Sequence, residues 1–217
     1  MGPQWYFFMR IALIHALRHS PPPIESAFRA AWPEPQLMNL LDDSLSADLA
    51  RDGVLTEAMT ARFLTLARYA VDTGAAGILF TCSAFGPCID AVKHEFPAIP
   101  VLKPNEAMIE EAVAAGSRIG LMATFAPTLA SMPPEFPASI HLVPTLVEGA
   151  LAALDRGDVA THDRLAVEAS GALKGCDAIA LAQFSLARAA GGIAAATGLK
   201  VLTTPESAVR KLRRLLA

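Results

Sequence analysis

The sequence has few charged residues and few cysteines. Of its 217 residues, 18% are charged and 53% are hydrophobic, and only 3 are cysteines. A chain with so little charge and so many apolar residues forms a packed core and is not intrinsically disordered. No two cysteines form a CxxC pair, which excludes the usual disulfide framework and zinc site. We therefore expect free thiols in a cytoplasmic protein.

The sequence also lacks basic stripes and nucleotide-binding motifs. A net charge of -3, with both signs mixed along the chain, argues against a nucleic-acid surface or a membrane-binding surface. No GxGxxG, GxxxxGK[ST] or GxSxG motif joins a strand to a helix, so neither a nucleotide cofactor nor a serine hydrolase is indicated. His15 and His19 do not share a helical face, as a metal pair would. The expected partner is a small molecule, with no cofactor and no metal.

The opening residues are not typical of a signal peptide. The run MGPQWYFFMRIALIHAL has no basic start, and the polar RHS ends it before it reaches the length of a membrane span. We interpret the segment from Arg10 to Leu17 as a core strand. Met9 is an alternative start, in which case residues 1–8 are a short extension.

Short apolar runs alternate with longer helix-period segments, which is typical of an α/β protein with parallel sheets. Helices are predicted near residues 25–31, 56–71, 88–95, 106–115, 127–131, 186–196 and 206–216, and a bent or broken helix over 149–174. The predicted strands, in order, are RIALIHAL, PQLMNLLD, AGILFTCS, IPVLKP, RIGLMATF, SIHLVPTL, DAIALAQF and KVLTTP.

The second half of the chain repeats the order of the first. RIALIHA at Arg10 corresponds to RIGLMAT at Arg118, and AGILFTC corresponds to DAIALAQ, at an offset of about one hundred residues. The repeat predicts two pseudo-symmetric, flavodoxin-like lobes, each a four-stranded parallel sheet flanked by helices, with the active site in the cleft between them. We place the first lobe at residues 1–104 plus the helix 206–217, and the second lobe at 105–205.

Ligands of such sheets bind beyond the carboxyl ends of the strands, where LFTCSAFGPCID places Cys82. The turn that follows, with Pro87 in the first turn of the next helix, offers free N–H groups. We expect these groups to bind a carboxylate and to lower the pKa of the Cys82 thiol. The competing interpretation is an ordinary buried cysteine. Asp42 and Asp43 are candidates for a general base, although helix capping is the commoner role of such residues.

Two strand-end motifs, ILFTCSAFGP and DAIALAQFSLA, together with RIGLMATFAPTL and the LAALDRGD helix break, resemble the aspartate/glutamate/hydantoin racemase superfamily. The resemblance covers almost the whole chain. It implies an enzyme that binds a substrate carboxylate between its lobes and moves a proton at the adjacent carbon without a metal or organic cofactor. It also implies a homodimer or higher homo-oligomer.

The racemases of this superfamily place two cysteines on opposite faces of the substrate. The first cysteine matches Cys82, whereas Gln183 stands at the second position. An amide does not exchange protons as a thiol does, so two-thiol racemisation is in doubt. Cys176 does not replace the missing thiol, because it lies at the other end of the same predicted strand. Arylmalonate decarboxylases, which use one cysteine, and maleate isomerases, which use a first-lobe cysteine as nucleophile, each resemble the pattern in part.

The resulting hypothesis is a cofactor-independent racemase or isomerase that uses Cys82 for proton transfer beside a carboxylate, with Gln183 as a polar orienter or oxyanion donor. The alternatives are a single-cysteine decarboxylase or lyase of the arylmalonate type and a non-catalytic carboxylate-binding protein. Phe184 is a further candidate for shaping the pocket. The residues that we expect to bind the substrate are His15, Ser83, Ala84, Phe85, Thr124, Phe125 and Ser185.

Overall fold

Two separate four-stranded parallel sheets form the framework of this computed structural model, which describes residues 9–216. The proposed extension over residues 1–8 lies outside the described residues. The first sheet has the order β2-β1-β3-β4 and the second has the equivalent order β6-β5-β7-β8, which confirms the predicted pair of parallel sheets. The strands are β1 (Arg10–His15), β2 (Gln36–Leu41), β3 (Ala75–Phe80), β4 (Val101–Leu102), β5 (Arg118–Ala123), β6 (His141–Leu146), β7 (Ala178–Leu181) and β8 (Lys200–Thr203).

Ten helices in the described residues cover the faces of the two sheets. They are α1 (Pro21–Ala31), α2 (Ser44–Asp52), α3 (Glu57–Asp72), α4 (Gly86–Glu95), α5 (Glu106–Ala115), α6 (Ala126–Ser131), α7 (Ala150–Asp155), α8 (Val159–Ser170), α9 (Ala190–Thr197) and α10 (Thr204–Leu216). None of the helices within residues 9–216 is both long enough and apolar enough to cross a membrane.

Central strands are apolar throughout because both faces of each sheet are covered. In β1, Ile11 and Leu13 pack in the cluster that contains residues of α1 and α10, whereas Ala12 and Ile14 pack on the opposite face, in the cluster that contains residues of α3. Side chains alternate between the faces of a strand, so a strand buried on both faces needs apolar residues at successive positions. This pattern explains why the strands were recognisable in the sequence.

The chain crosses between the two sheets at α5 and again at α10. Helix α5 follows β4 of the first sheet but packs on β7 and β8 of the second, and α10 follows β8 but packs on α1 and β3 of the first sheet. Gly77 of β3 permits this approach, because a Cβ atom there would lie 3.1 Å from Leu216 Cδ1. The domain boundaries given from the sequence stay a prediction.

Two segments differ from the helices predicted from the sequence. Helix α2 was not predicted, and the segment Phe184–Ala189 is a 3-10 turn, so α9 begins only at Ala190. The predicted break of the long segment is confirmed. Gly157 has a positive φ of 77°, and Asp158 caps α8 by accepting a hydrogen bond from the Thr161 N–H at 3.1 Å.

Candidate functional site

Cys82 lies at the carboxyl end of β3, two residues after the strand ends. Its backbone is still extended, and the 3-10 turn Ser83–Phe85 then leads into α4. The residue is 5% exposed and packs in a cluster that includes Leu45 of the first lobe and Phe125 of the second. The thiol is therefore placed where the two lobes meet.

Burial raises the pKa of the Cys82 thiol to about 11, although the hydrogen bond from the Ala84 N–H and the neighbouring Ser46 side chain act in the opposite direction. The prediction that the helix start lowers this pKa was wrong, because the cost of burying a thiolate exceeds the gain from these polar neighbours. At neutral pH the group is the protonated thiol, which is a proton donor and not a base.

Ser46 was not among the candidates from the sequence. It lies in α2, it is 5% exposed, and its hydroxyl donates to the Ala16 carbonyl at 2.6 Å. The polar run DDSLS directly after β2 was the available signal. The capping role that is common for residues such as Asp42 and Asp43 does not by itself predict α2.

Gln183 follows β7 at the position that corresponds to Cys82 in the first lobe. Its side-chain oxygen accepts hydrogen bonds from the Thr124 hydroxyl at 3.0 Å, from the Phe125 N–H at 3.2 Å and from the Thr124 N–H. Because all three partners donate, the oxygen must face them, and this fixes the orientation of the amide. The side-chain nitrogen has no hydrogen-bond partner among the described residues and is buried. Gln183 therefore holds an unused donor in a fixed place.

Ser83 ties the first lobe to the second. Its hydroxyl donates to the Ala182 carbonyl, and its own carbonyl accepts from the Ser131 hydroxyl at 3.2 Å. The hydroxyl that we expected to bind a substrate carboxylate is thus engaged in an interlobe hydrogen bond. Its position beside Cys82 agrees with the sequence interpretation, but its contact is structural.

His15 lies at the end of β1, and its buried ring begins a polar chain that runs outward through exposed Asn39 to half-buried Glu25. Its Nδ1 is 2.8 Å from the Thr81 hydroxyl and its Nε2 is 2.9 Å from Asn39 Oδ1, while the Asn39 amide donates to Glu25 at 2.8 Å. Burial lowers the pKa of His15 more than the Asn39 hydrogen bond and the Glu25 charge raise it. The ring is therefore neutral, with Nε2 donating to Asn39 and Nδ1 accepting from Thr81. Both ring nitrogens are satisfied without a ligand.

An open pocket of about 840 Å³, here called the cleft pocket, lies between the lobes next to the Cys82 turn. Three of the expected residues line it: Ala84, Thr124 and Phe125. Helix α2 and the residues after β6 form the other walls, and the lining is mostly apolar. Glu148, which the sequence interpretation missed, brings a carboxylate to this lining. Such a lining suits a small ligand with an apolar body.

Two of the phenylalanines proposed to shape the pocket belong to the core instead. Phe85 is completely buried with its ring centroid 5.0 Å from that of Phe63, and Phe184 is 1% exposed in the cluster that contains α10. Ser185 lines a separate pocket bounded by α1 and α10. Aromatic residues after buried strands are as well suited to packing as to ligand contact, so their sequence positions did not decide between these roles.

The other acids and thiols lie away from the cleft pocket. Asp42 forms an ion pair with Arg62, and hydrogen bonds from Arg62 and Ser44 lower its pKa despite partial burial. Cys88 contacts the Thr60 hydroxyl at 3.4 Å on α3, and Cys176 precedes β7. No group of three His, Cys, Asp or Glu side chains in residues 9–216 has a metal-binding arrangement.

Comparison with solved structures places this architecture among racemases and a decarboxylase. Glutamate racemase from Francisella tularensis superposes with a TM-score of 0.75 at 18% identity over 96% of this chain and 81% of that one. Allantoin racemase from Klebsiella pneumoniae superposes with a TM-score of 0.72 at 18% identity, over 95% of this chain and 87% of that one. Unliganded arylmalonate decarboxylase superposes with a TM-score of 0.65 at 19% identity, over 96% of this chain and 93% of that one. This chain has the two-lobed racemase fold.

The resemblance seen in the sequence is thus confirmed as a shared fold. No protein-family model matches the sequence, and comparison with curated proteins gives no match. The racemase fold supports both isomerase and decarboxylase activity in the solved structures. The chemistry of this chain therefore has to be argued from its own site.

Proposed function

We propose that this chain is a cofactor-independent enzyme of the racemase superfamily in which Cys82 transfers a proton at a carbon next to a carboxylate. The observation that carries the proposal is the placement of Cys82 between two lobes of racemase fold, beside an apolar pocket. A thiol in such a place is shielded from water yet close to a bound substrate. The substrate class is a small carboxylic acid or hydantoin with an apolar group.

Gln183 would hold the charge that develops during the reaction. Proton transfer at the carbon passes through an enediolate-like species, which hydrogen-bond donors in a low-dielectric site stabilise. The buried amide nitrogen of Gln183 is such a donor, and the three hydrogen bonds to its oxygen keep it in place. Gln183 is therefore proposed as an oxyanion donor and not as an acid or base.

The neutral state of the thiol favours single protonation, as in a decarboxylase of the arylmalonate type. The bond between the central carbon and a second carboxylate breaks, its electron pair forms the enediolate, and carbon dioxide leaves. The Cys82 S–H then gives its proton to that carbon, and solvent reprotonates the thiolate. This sequence needs one proton donor, which a thiol whose pKa is raised to about 11 supplies.

Racemisation or isomerisation, the leading hypothesis from the sequence, becomes the second candidate, and the presence of Glu148 in the lining of the cleft pocket supports it. These reactions need a group that removes a proton and another that returns one. Glu148 is the carboxylate placed to act as the base, with Cys82 as the acid.

Turnover measurements on a substrate panel test the proposal. The panel contains amino acids, hydantoins, aryl- and alkylmalonates and unsaturated diacids, followed by polarimetry, carbon dioxide release and absorbance. We expect one class to react and Cys82→Ala to lower turnover by about a hundredfold or more. Cys88→Ala, which removes a buried thiol away from the cleft pocket, should retain the turnover of wild type. Full activity in Cys82→Ala would refute the proposal. No reaction with any compound, with a carboxylate still bound, would favour the binding-protein alternative.

A further inference from the structure

A second pocket of about 790 Å³ lies between α1, the turn after β7 and the start of α10. It contains none of the residues that line the cleft pocket. The two pockets occupy corresponding places in the repeat. Ala84, after β3, lines the cleft pocket, and Ser185, after β7, lines the second pocket. Similarly, α2 contributes to the former and α7 to the latter. The repeated architecture has therefore produced two pockets with different linings.

A buried hydroxyl group without a partner lies in the lining of the second pocket, and another lies next to the lining. Ser185 is 4% exposed, and its Oγ has no hydrogen-bond partner among the described residues. Thr204, which lies between the lining residues Thr203 and Pro205, is also buried with an unpaired Oγ1. A buried polar group without a partner destabilises the folded protein, so such groups usually meet a ligand or ordered water.

Charged side chains surround the second pocket. Three arginines line it together with one carboxylate, Glu206, and with His19, whose Nε2 is 2.9 Å from Asp155 Oδ1. The arginines are Arg18, Arg188 and Arg210, and they also contact Asp155, Asp163 and Glu111 respectively. Helix α10, 13 residues long, begins at this pocket and directs its positive end there.

Helix α1 also begins at this pocket but offers no comparable donors. Its first three residues are prolines, which lack N–H groups. Instead, Pro22, Pro23 and Ala27 join Leu154 and Val159 in an apolar wall. The pocket thus combines the free Ser185 hydroxyl and arginines with a surface that suits hydrocarbon.

From this combination we propose that the second pocket binds a small organic acid by its carboxylate and its apolar body. The buried Ser185 hydroxyl donates to the carboxylate, Arg18 supplies positive charge at the exposed side, and the proline-rich start of α1 covers the apolar part. This site is independent of Cys82 chemistry, so it stands even if the proposed reaction fails.

Isothermal titration calorimetry with benzoate tests the proposal. Benzamide is the uncharged control of the same shape, and inorganic phosphate is the control anion without an apolar body. Benzoate should bind wild type and Cys82→Ala equally. Ser185→Ala should weaken it by about tenfold, as expected for the loss of one hydrogen bond to a charged group. Arg18→Ala should also weaken it, whereas Arg164→Ala, an exposed arginine on α8, should not. Benzamide should bind more weakly than benzoate.

A matched pair of bulky substitutions identifies the pocket that the probe occupies. Ala187→Trp fills the second pocket and should abolish the benzoate binding that depends on Ser185, while Ala130→Trp fills the cleft pocket and should leave that binding intact. Melting curves check that both tryptophan variants fold. If one of them does not fold, Ser185→Ala tests the second pocket instead. The proposal is overturned if benzoate does not bind, or if Ser185→Ala binds benzoate as tightly as wild type. It is also overturned if Ala130→Trp alone loses benzoate binding, or if phosphate binds as tightly as benzoate.

Discussion

Gln183 shows how one side chain changes the chemistry available to this fold. Its oxygen uses the Thr124 hydroxyl and two backbone N–H groups that would otherwise be free to hold an anion. Its nitrogen, which keeps its protons at neutral pH, remains a donor without a partner. At this position the second lobe therefore offers polarity but no proton transfer. The proton must come from another group, for which we propose Cys82.

His15 gives the protein a pH dependence that can be measured. Burial lowers the pKa of His15 in the folded protein below its ordinary value of 6.5. On acidification the unfolded chain takes up this proton first, so the free energy of unfolding should decrease as the pH falls through about 6.5. Above this value the contribution of neutral His15 is fully present.

Urea denaturation at pH values on both sides of 6.5 checks this prediction. His15→Gln should show a smaller loss of stability on acidification than wild type, because glutamine has no imidazole that takes up a proton in the unfolded chain. His141→Gln, at the exposed start of β6, should retain the wild-type pH dependence. An identical pH profile for wild type and His15→Gln would contradict the assignment.

The sequence identified the position of Cys82 but not its acidity or the contacts of Gln183. A cysteine directly after an apolar run could be placed at a strand end from the pattern alone. Its pKa depends on burial by both lobes and on Ser46, and the contacts of Gln183 depend on Thr124, 59 residues away. Neither partner is recognisable before the fold brings them together.

At the level of elements, α10 contributes most to joining the end of the chain to its beginning. It follows the last strand of the second sheet, yet Val209 and Leu212 are completely buried against the first sheet and α1. Its basic residues lie on its exposed side and in its last turn. The strong separation of apolar and charged residues along ESAVRKLRRLLA made this helix predictable, although the pattern did not show which face of the sheet it covers.

Truncation of the buried face of α10 should destabilise the whole protein. Leu212→Ala leaves a cavity in a fully packed cluster and should lower the free energy of unfolding by about 2–5 kcal/mol. Leu215→Ala on the same helix removes the same atoms from a residue that is 53% exposed, and it should change the free energy of unfolding little. Urea denaturation compares the two variants. Equal losses would show that α10 is not packed as described.

Helix α2 shows why some elements escaped the sequence interpretation. Only Leu45, Ser46 and Leu49 of SLSADLARD are buried, so its apolar face is narrow and one of its three buried positions is polar. Such a segment is hard to distinguish from a capped turn. Yet α2 carries Ser46 to the Cys82 thiol and forms a wall of the cleft pocket. The element that was missed is thus part of the candidate site.

At the level of the whole molecule, the repeat of strand order was the most informative feature of the sequence. It predicted two lobes and a cleft, and solved racemases share this architecture at identities as low as 12%. The lobes differ where the chemistry lies: Gln183 stands in the second lobe where Cys82 stands in the first, and the two corresponding pockets have different linings. The first difference was visible in the sequence. The linings were not, because each combines residues from both lobes, which no pattern within one lobe can show.

Incubation of the substrate panel in deuterated water, followed by mass spectrometry, tests the central claim most directly. Wild type and Cys88→Ala should introduce solvent deuterium at the carbon next to the carboxylate, and Cys82→Ala should not. Deuterium in the product together with loss of carbon dioxide would identify a decarboxylase, whereas deuterium in recovered substrate would identify a racemase. Equal incorporation by wild type and Cys82→Ala would contradict the assignment of Cys82 as the group that transfers the proton.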